Sequence, residues 1–147
     1  MNITTLSTDI FMTLDGDLYL DAETGSDLYI SGPRKNELLE SICSRRILST
    51  KGEWDFAPSC GTDLIDFVGQ PNTEETSVLI KSAIMMSLTE DNLIRSSDLG
   101  VDGSPSGPNS MFFLLAFKGI EPTDPVVTLG WGYDLRDSKM VPRIINL

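Results

Sequence analysis

Seven consecutive apolar residues, Met111-Phe112-Phe113-Leu114-Leu115-Ala116-Phe117, ended by Lys118-Gly119, constrain this chain more than any other feature. The run has no polar position to turn toward water and is short for a helix, so it predicts a strand covered on both faces. The segment that follows, Val126 to Leu135, alternates instead. Val127, Leu129, Trp131, Tyr133 and Leu135 share one face, and Thr128, Gly130, Gly132 and Asp134 share the other. The interior glycines leave the backbone of that second face accessible, a place for another chain to approach. The chain then runs to Val141-Pro142-Arg143-Ile144-Ile145-Asn146-Leu147, an apolar, extended-looking stretch that a monomer has little reason to leave in solvent.

Upstream, the pattern changes from short strands to helices. Asp15-Gly16 separates Ile10–Leu14 from Asp17–Leu20, and a DG pair between two short apolar runs is a hairpin signal because Gly accepts the positive φ of a tight turn. A further extended piece follows at Asp27–Ile30. Ser31-Gly32-Pro33 reads as a helix start, and Leu38, Leu39, Ile42, Cys43 and Ile47 recur at three- and four-residue steps along one face up to about Leu48. A short helix is expected from Thr62 to Val68. Another begins after Thr73 as N-cap, with Glu74 and Glu75 in its first turn, where negative charge suits the macrodipole. Its apolar residues Val78, Leu79, Ile80, Ala83, Ile84, Met85, Met86 and Leu88 cover most of its circumference, so it must be sandwiched inside its own domain or against a partner. Between it and the apolar run, residues 100–110 are rich in Gly, Pro and Ser and read as a mobile loop. The fold class is α+β. It is a single domain over 1–147 with an N-terminal β meander, two to three helices and C-terminal strands that leave an edge free for strand addition.

Composition excludes more than it selects. The 22 acidic against 11 basic residues give a net charge of -11, which repels a phosphate backbone, so nucleic acid is not an expected partner. That acidity serves solubility before assembly or attraction to a basic neighbour. No stretch approaches the length of a membrane span, and Met1-Asn2-Ile3-Thr4-Thr5 lacks the basic start of a secretory signal. Histidine is absent, which removes the commonest general base, the usual metal nitrogen and every Ser-His or Cys-His pair. The two cysteines, Cys43 and Cys60, lack a CxxC spacing and read as reduced, small side chains. Asp15, Asp17 and Asp21 are grouped closely enough to suggest calcium. They lack the Gly and the Glu that such a loop needs at its sixth and twelfth positions, so turn chemistry is the better reading. No cofactor and no metal are expected.

One constellation is specific. Arg46-Ile47-Leu48-Ser49-Thr50-Lys51-Gly52-Glu53-Trp54, followed by Pro58 and Gly61, resembles the helix end and turn of the sheath-initiator family of contractile tails, baseplate-wedge proteins that are also similar to a type VI secretion baseplate subunit. Arg46, Leu48, Gly52, Glu53, Trp54 and Gly61 stand at that family's motif places. Ser49 replaces the usual Thr, Ala57 a frequent acidic residue and Cys60 a common aromatic. The resemblance spans about residues 10–95 and includes Gly16-Asp17-Leu18-Tyr19-Leu20 and the helix from Thr73 to Leu88. As residues, the turn reads as a structural clasp. Gly52 supplies a backbone conformation closed to other residues, Trp54 buries its ring against two helices, and Glu53 pairs with Arg45 or Arg46.

The resemblance implies a virion structural protein of a six-fold baseplate, assembled in the host cytoplasm, with no catalytic residues. It would nucleate sheath assembly by offering strands to the first ring of sheath subunits, a β-augmentation. Sheath subunits and baseplate wedge proteins are the implied partners, with tube or hub proteins as further candidates. The expected partner-binding residues are Val127, Leu129, Gly130, Trp131, Gly132, Tyr133 and Leu135, together with Ile144, Ile145 and Leu147. Two other readings compete with it. One is a wedge or hub adaptor that never touches sheath. The other is a peptidoglycan hydrolase working with Glu53 and Asp55 or Asp63 as paired carboxylates.

Overall fold

A computed structural model describes residues 35–119 and 123–137 and five strand segments: Thr8–Asp9 (β1), Phe11–Met12 (β2), Leu18–Tyr19 (β3), Leu28–Tyr29 (β4) and Lys139–Arg143 (β8). Strands β2 and β3 pair antiparallel, Phe11 with Tyr19 and Met12 with Leu18, as a hairpin requires, and its expected Asp15-Gly16 turn lies outside the described residues. Strand β1 pairs with β4, Thr8 opposite Tyr29. The expected helix start at Ser31-Gly32-Pro33 and the Asp15, Asp17, Asp21 cluster lie outside the described residues.

Helix α1 spans Lys35–Leu48. Leu38, Leu39, Cys43 and Ile47 are buried, the stripe that the sequence periodicity requires. Arg45 and Arg46 lie in the last turn, where cations complement the negative helix end. After a short 3-10 turn at Leu64–Phe67, helix α2 spans Glu74–Thr89. Thr73 caps it, its hydroxyl accepting the Thr76 backbone N–H at 3.3 Å. Glu75 stands in the first turn, where its own backbone N–H and then the Thr73 hydroxyl hold its carboxyl below the usual range.

Strands β5 (Leu99–Pro105), β6 (Ser110–Lys118) and β7 (Val126–Asp134) build, with β8, an open antiparallel sheet in the order β5-β6-β7-β8. The register sets Leu99 opposite Phe117, Phe113 opposite Trp131, and Trp131 opposite Pro142. Met111, Phe113, Leu115 and Phe117 of β6 turn into one core with Ile80, Ile84 and Leu88 of α2 and Cys43 and Ile47 of α1. Each of the large side chains removed from water there contributes about 1.5–3 kcal/mol.

Two expectations are corrected. The stretch 100–110 is not a mobile loop, because Leu99–Pro105 is a paired strand and the connection shrinks to residues 106–109. Its Gly and Pro content misleads because β5 is a terminal strand, where proline is tolerated. At Gly103 the Phe113 ring occupies the place a side chain would need, 2.2 Å from an added Cβ. The apolar run, in turn, is not equally covered on both faces. Met111, Phe113, Leu115 and Phe117 are buried, whereas Phe112, Leu114 and Ala116 are only partly so, because the packed helix α2 covers one face.

Candidate interaction surface

The turn between α1 and α2 is held mainly by its backbone. The Gly52 N–H donates to Pro58 C=O at 2.9 Å and the Thr62 N–H to Ser49 C=O at 2.7 Å, while the Lys51 N–H donates to an Asp63 carboxylate oxygen at 3.1 Å. Gly52 has φ +79° and Gly61 φ +131°, and a Cβ on Gly61 would lie 2.7 Å from the Ser49 carbonyl oxygen, so the expected clasp exists at the level of main chain. Lys51 adds an ion pair to Glu90 at the end of α2, 3.6 Å away. Arg46 is buried and donates to the Glu90 carbonyl at 3.4 Å.

The side-chain half of that expectation is corrected. Glu53 does not pair with Arg45 or Arg46; it accepts the Thr50 N–H at 3.0 Å, a reach of three residues within the turn itself. Trp54 is not buried against the helices. It is 42 % exposed, donates from Nε1 to the Ser49 hydroxyl at 3.2 Å, and meets Phe56 edge-to-face with ring centroids 5.5 Å apart. Phe56 is 83 % exposed and Leu48 also faces solvent. The Gly52–Pro58 and Thr62–Ser49 backbone bonds close the turn without using either ring, and both rings are left toward solvent.

The strand residues proposed as partner-binding divide differently from expectation. Val127, Leu129, Trp131, Tyr133 and Leu135 do share a face, and that face is the chain's own core: all five are buried, so their side chains are not a docking surface. Gly130 and Gly132 lie on the opposite face, but β7 is an inner strand, flanked by β6 and β8, and its main chain is not open at a margin. Ile144, Ile145 and Leu147 lie outside the described residues. The alternation in sequence revealed the face correctly; it carried no information about strand order.

The margins themselves can be read from the ladder. Ser106 N–H donates to Ser110 C=O at 2.8 Å, and antiparallel pairs alternate between bonded and non-bonded, so Ser104, Asp102 and Gly100 bond to β6. Leu99, Val101, Gly103 and Pro105 therefore turn their main-chain groups away from it. Leu135 N–H donates to Asn109 C=O at 2.9 Å; carried through β7, the same alternation bonds Lys139, Val141 and Arg143 to β7 and turns Met140 and Pro142 outward.

A second exposed apolar feature lies on α2. Thr76, Ser77, Ile80, Ile84, Ser87 and Leu88 are buried, whereas Val78, Leu79 and Met86 face solvent on the other side. The helix is therefore half covered, not sandwiched, among the described residues. No group of His, Cys, Asp or Glu among the described residues is arranged to hold a metal ion. No described helix is long and apolar enough to cross a membrane. Comparison with protein families, with curated proteins and with solved structures finds no match for this chain.

Proposed function

We propose that this chain is a non-catalytic structural subunit of a contractile-tail baseplate that nucleates sheath assembly by accepting or donating a β-strand and links sheath to wedge. The observation that carries the reading is the open sheet whose last strand, β8, turns the main-chain groups of Met140 and Pro142 away from β7 and is followed in sequence by Ile144, Ile145, Asn146 and Leu147. A margin of this kind gives affinity through main-chain hydrogen bonds, and alternate side chains give register. The net charge of -11 keeps such a subunit soluble before assembly and separates it from nucleic acid.

Deleting residues 144–147 tests the placement, since the deletion leaves β8 in place. Sheath subunits should then fail to polymerise on baseplates carrying the shortened chain, and normal sheath growth would remove residues 144–147 from the interface. A wedge or hub adaptor is the second reading, favoured by the solvent-facing Val78, Leu79 and Met86 and by the Trp54–Phe56 pair. Co-purification with wedge but never with sheath subunits would select it. For the hydrolase reading, the geometry offers Glu53 and Asp63 carboxylates engaged by the Thr50 and Lys51 N–H groups. Peptidoglycan release lost on Glu53→Gln would establish that activity in place of the assembly role.

A further inference from the structure

We infer that this sheet is extended only past β8, and by a strand from a different chain, not by a second copy of itself. The inference rests on the strand-addition reading above. At the other margin, both outward main-chain groups of Gly103 are already taken: its carbonyl accepts the Ser77 hydroxyl of α2 at 2.9 Å, and its N–H donates to the Asp102 carboxylate at 2.8 Å. Lys81 of α2 lies 3.5 Å from the same carboxylate, and Pro105, two residues on, has no N–H to offer. A strand arriving at β5 would have to break the Ser77 and Asp102 contacts and would still meet a gap in its ladder.

The β8 margin has no such caps among the described residues, but it is biased. Met140 and Pro142 present two carbonyls and one N–H, because proline lacks the second donor. Two copies placed edge to edge bring two N–H groups against four carbonyls, so two acceptors stay unpaired. A proline-free strand from another chain matches all three groups. Unmatched backbone groups are costly once water is excluded, and the charge of -11 repels like copies as well. Pro142 thus sets the identity of the partner, while Ser77, Asp102 and Pro105 set the side from which it comes.

Residue-level amide exchange on the full chain, joined to sedimentation at high salt, tests each part. In the isolated chain the Gly103 amide should exchange several-fold more slowly than the Met140 amide, and Asp102→Ala should remove the difference. Equal rates in the unsubstituted chain would overturn the closed margin and leave strand addition standing. A slow Met140 amide in the monomer would instead sink strand addition itself, since β8 would already be covered. With repulsion screened, the chain should remain monomeric and Pro142→Val, which restores the missing donor, should self-associate. Dimers of the unsubstituted chain that protect Met140, or a Pro142→Val chain that stays monomeric, would overturn the assignment of the partner.

Discussion

The Tyr133 hydroxyl donates to the Leu64 carbonyl across 2.5 Å inside the core, joining an inner strand to the short 3-10 turn that follows the α1–α2 clasp. The two residues are 69 positions apart, so this bond fixes the motif turn to the sheet. Tyr133→Phe keeps the ring and leaves the buried carbonyl without this donor. The expected loss is about 1–3 kcal/mol of unfolding free energy, read as a lower urea midpoint at unchanged slope. An unchanged midpoint would show that the turn is held without the sheet.

The two glycines of the clasp separate strain from crowding. Gly52→Ala meets no atom within 4 Å, so only the left-handed backbone resists it, at about 1–2 kcal/mol. Gly61→Ala adds a Cβ 2.7 Å from the Ser49 carbonyl oxygen at φ +131°, and neither backbone can give. It should cost roughly 3 kcal/mol or more, or abolish folding. Thermal unfolding of both variants checks the order; similar values would mean that the turn opens without disturbing the core.

Local signals were the legible ones. The Thr73 cap, the α1 stripe and the β7 alternation each depend on residues within a few positions, and the structure has all three. Strand order is different. Nothing near Val126–Asp134 in sequence indicates that β8 pairs on its far side, so a strand read as an open edge is an inner one. Edge status misled in the opposite direction at Leu99–Pro105, where Gly and Pro density reads as loop because a terminal strand needs no second partner. Of the candidate site, the turn was legible and the fate of its side chains was not, since the exposure of Trp54 depends on how much chain folds over it.

Cys43 is fully buried, and burial is the main cause that pushes its thiol up from 9.0 to about 12. The folded state therefore keeps a proton that the unfolded chain releases above about pH 9, so this group's contribution is intact below that pH and declines as pH rises toward 12. In native protein at pH 8, a thiol reagent should modify Cys60, which is partly exposed, and leave Cys43 untouched until denaturant is added. Two fast-reacting thiols would show that the α1 face opens readily.

Trp54 and Trp131 stand at opposite extremes of exposure, 42 % against 1 %, and they are the chain's two tryptophans. Emission from Trp131 should be blue-shifted and shielded from a soluble quencher, whereas Trp54 should emit to the red and be quenched. Trp54→Phe should therefore remove most of the quenchable signal. It should change stability by about 1 kcal/mol or less, because the ring covers little of the core. The same substitution distinguishes two roles for the turn. A clasp that depends on the ring would lose stability and binding together, whereas an aromatic pair kept for a partner would lose wedge co-purification at full stability. The exposure of Trp54 and Phe56 favours the second outcome. A drop in melting temperature of the size expected for Gly61→Ala would reverse that assignment.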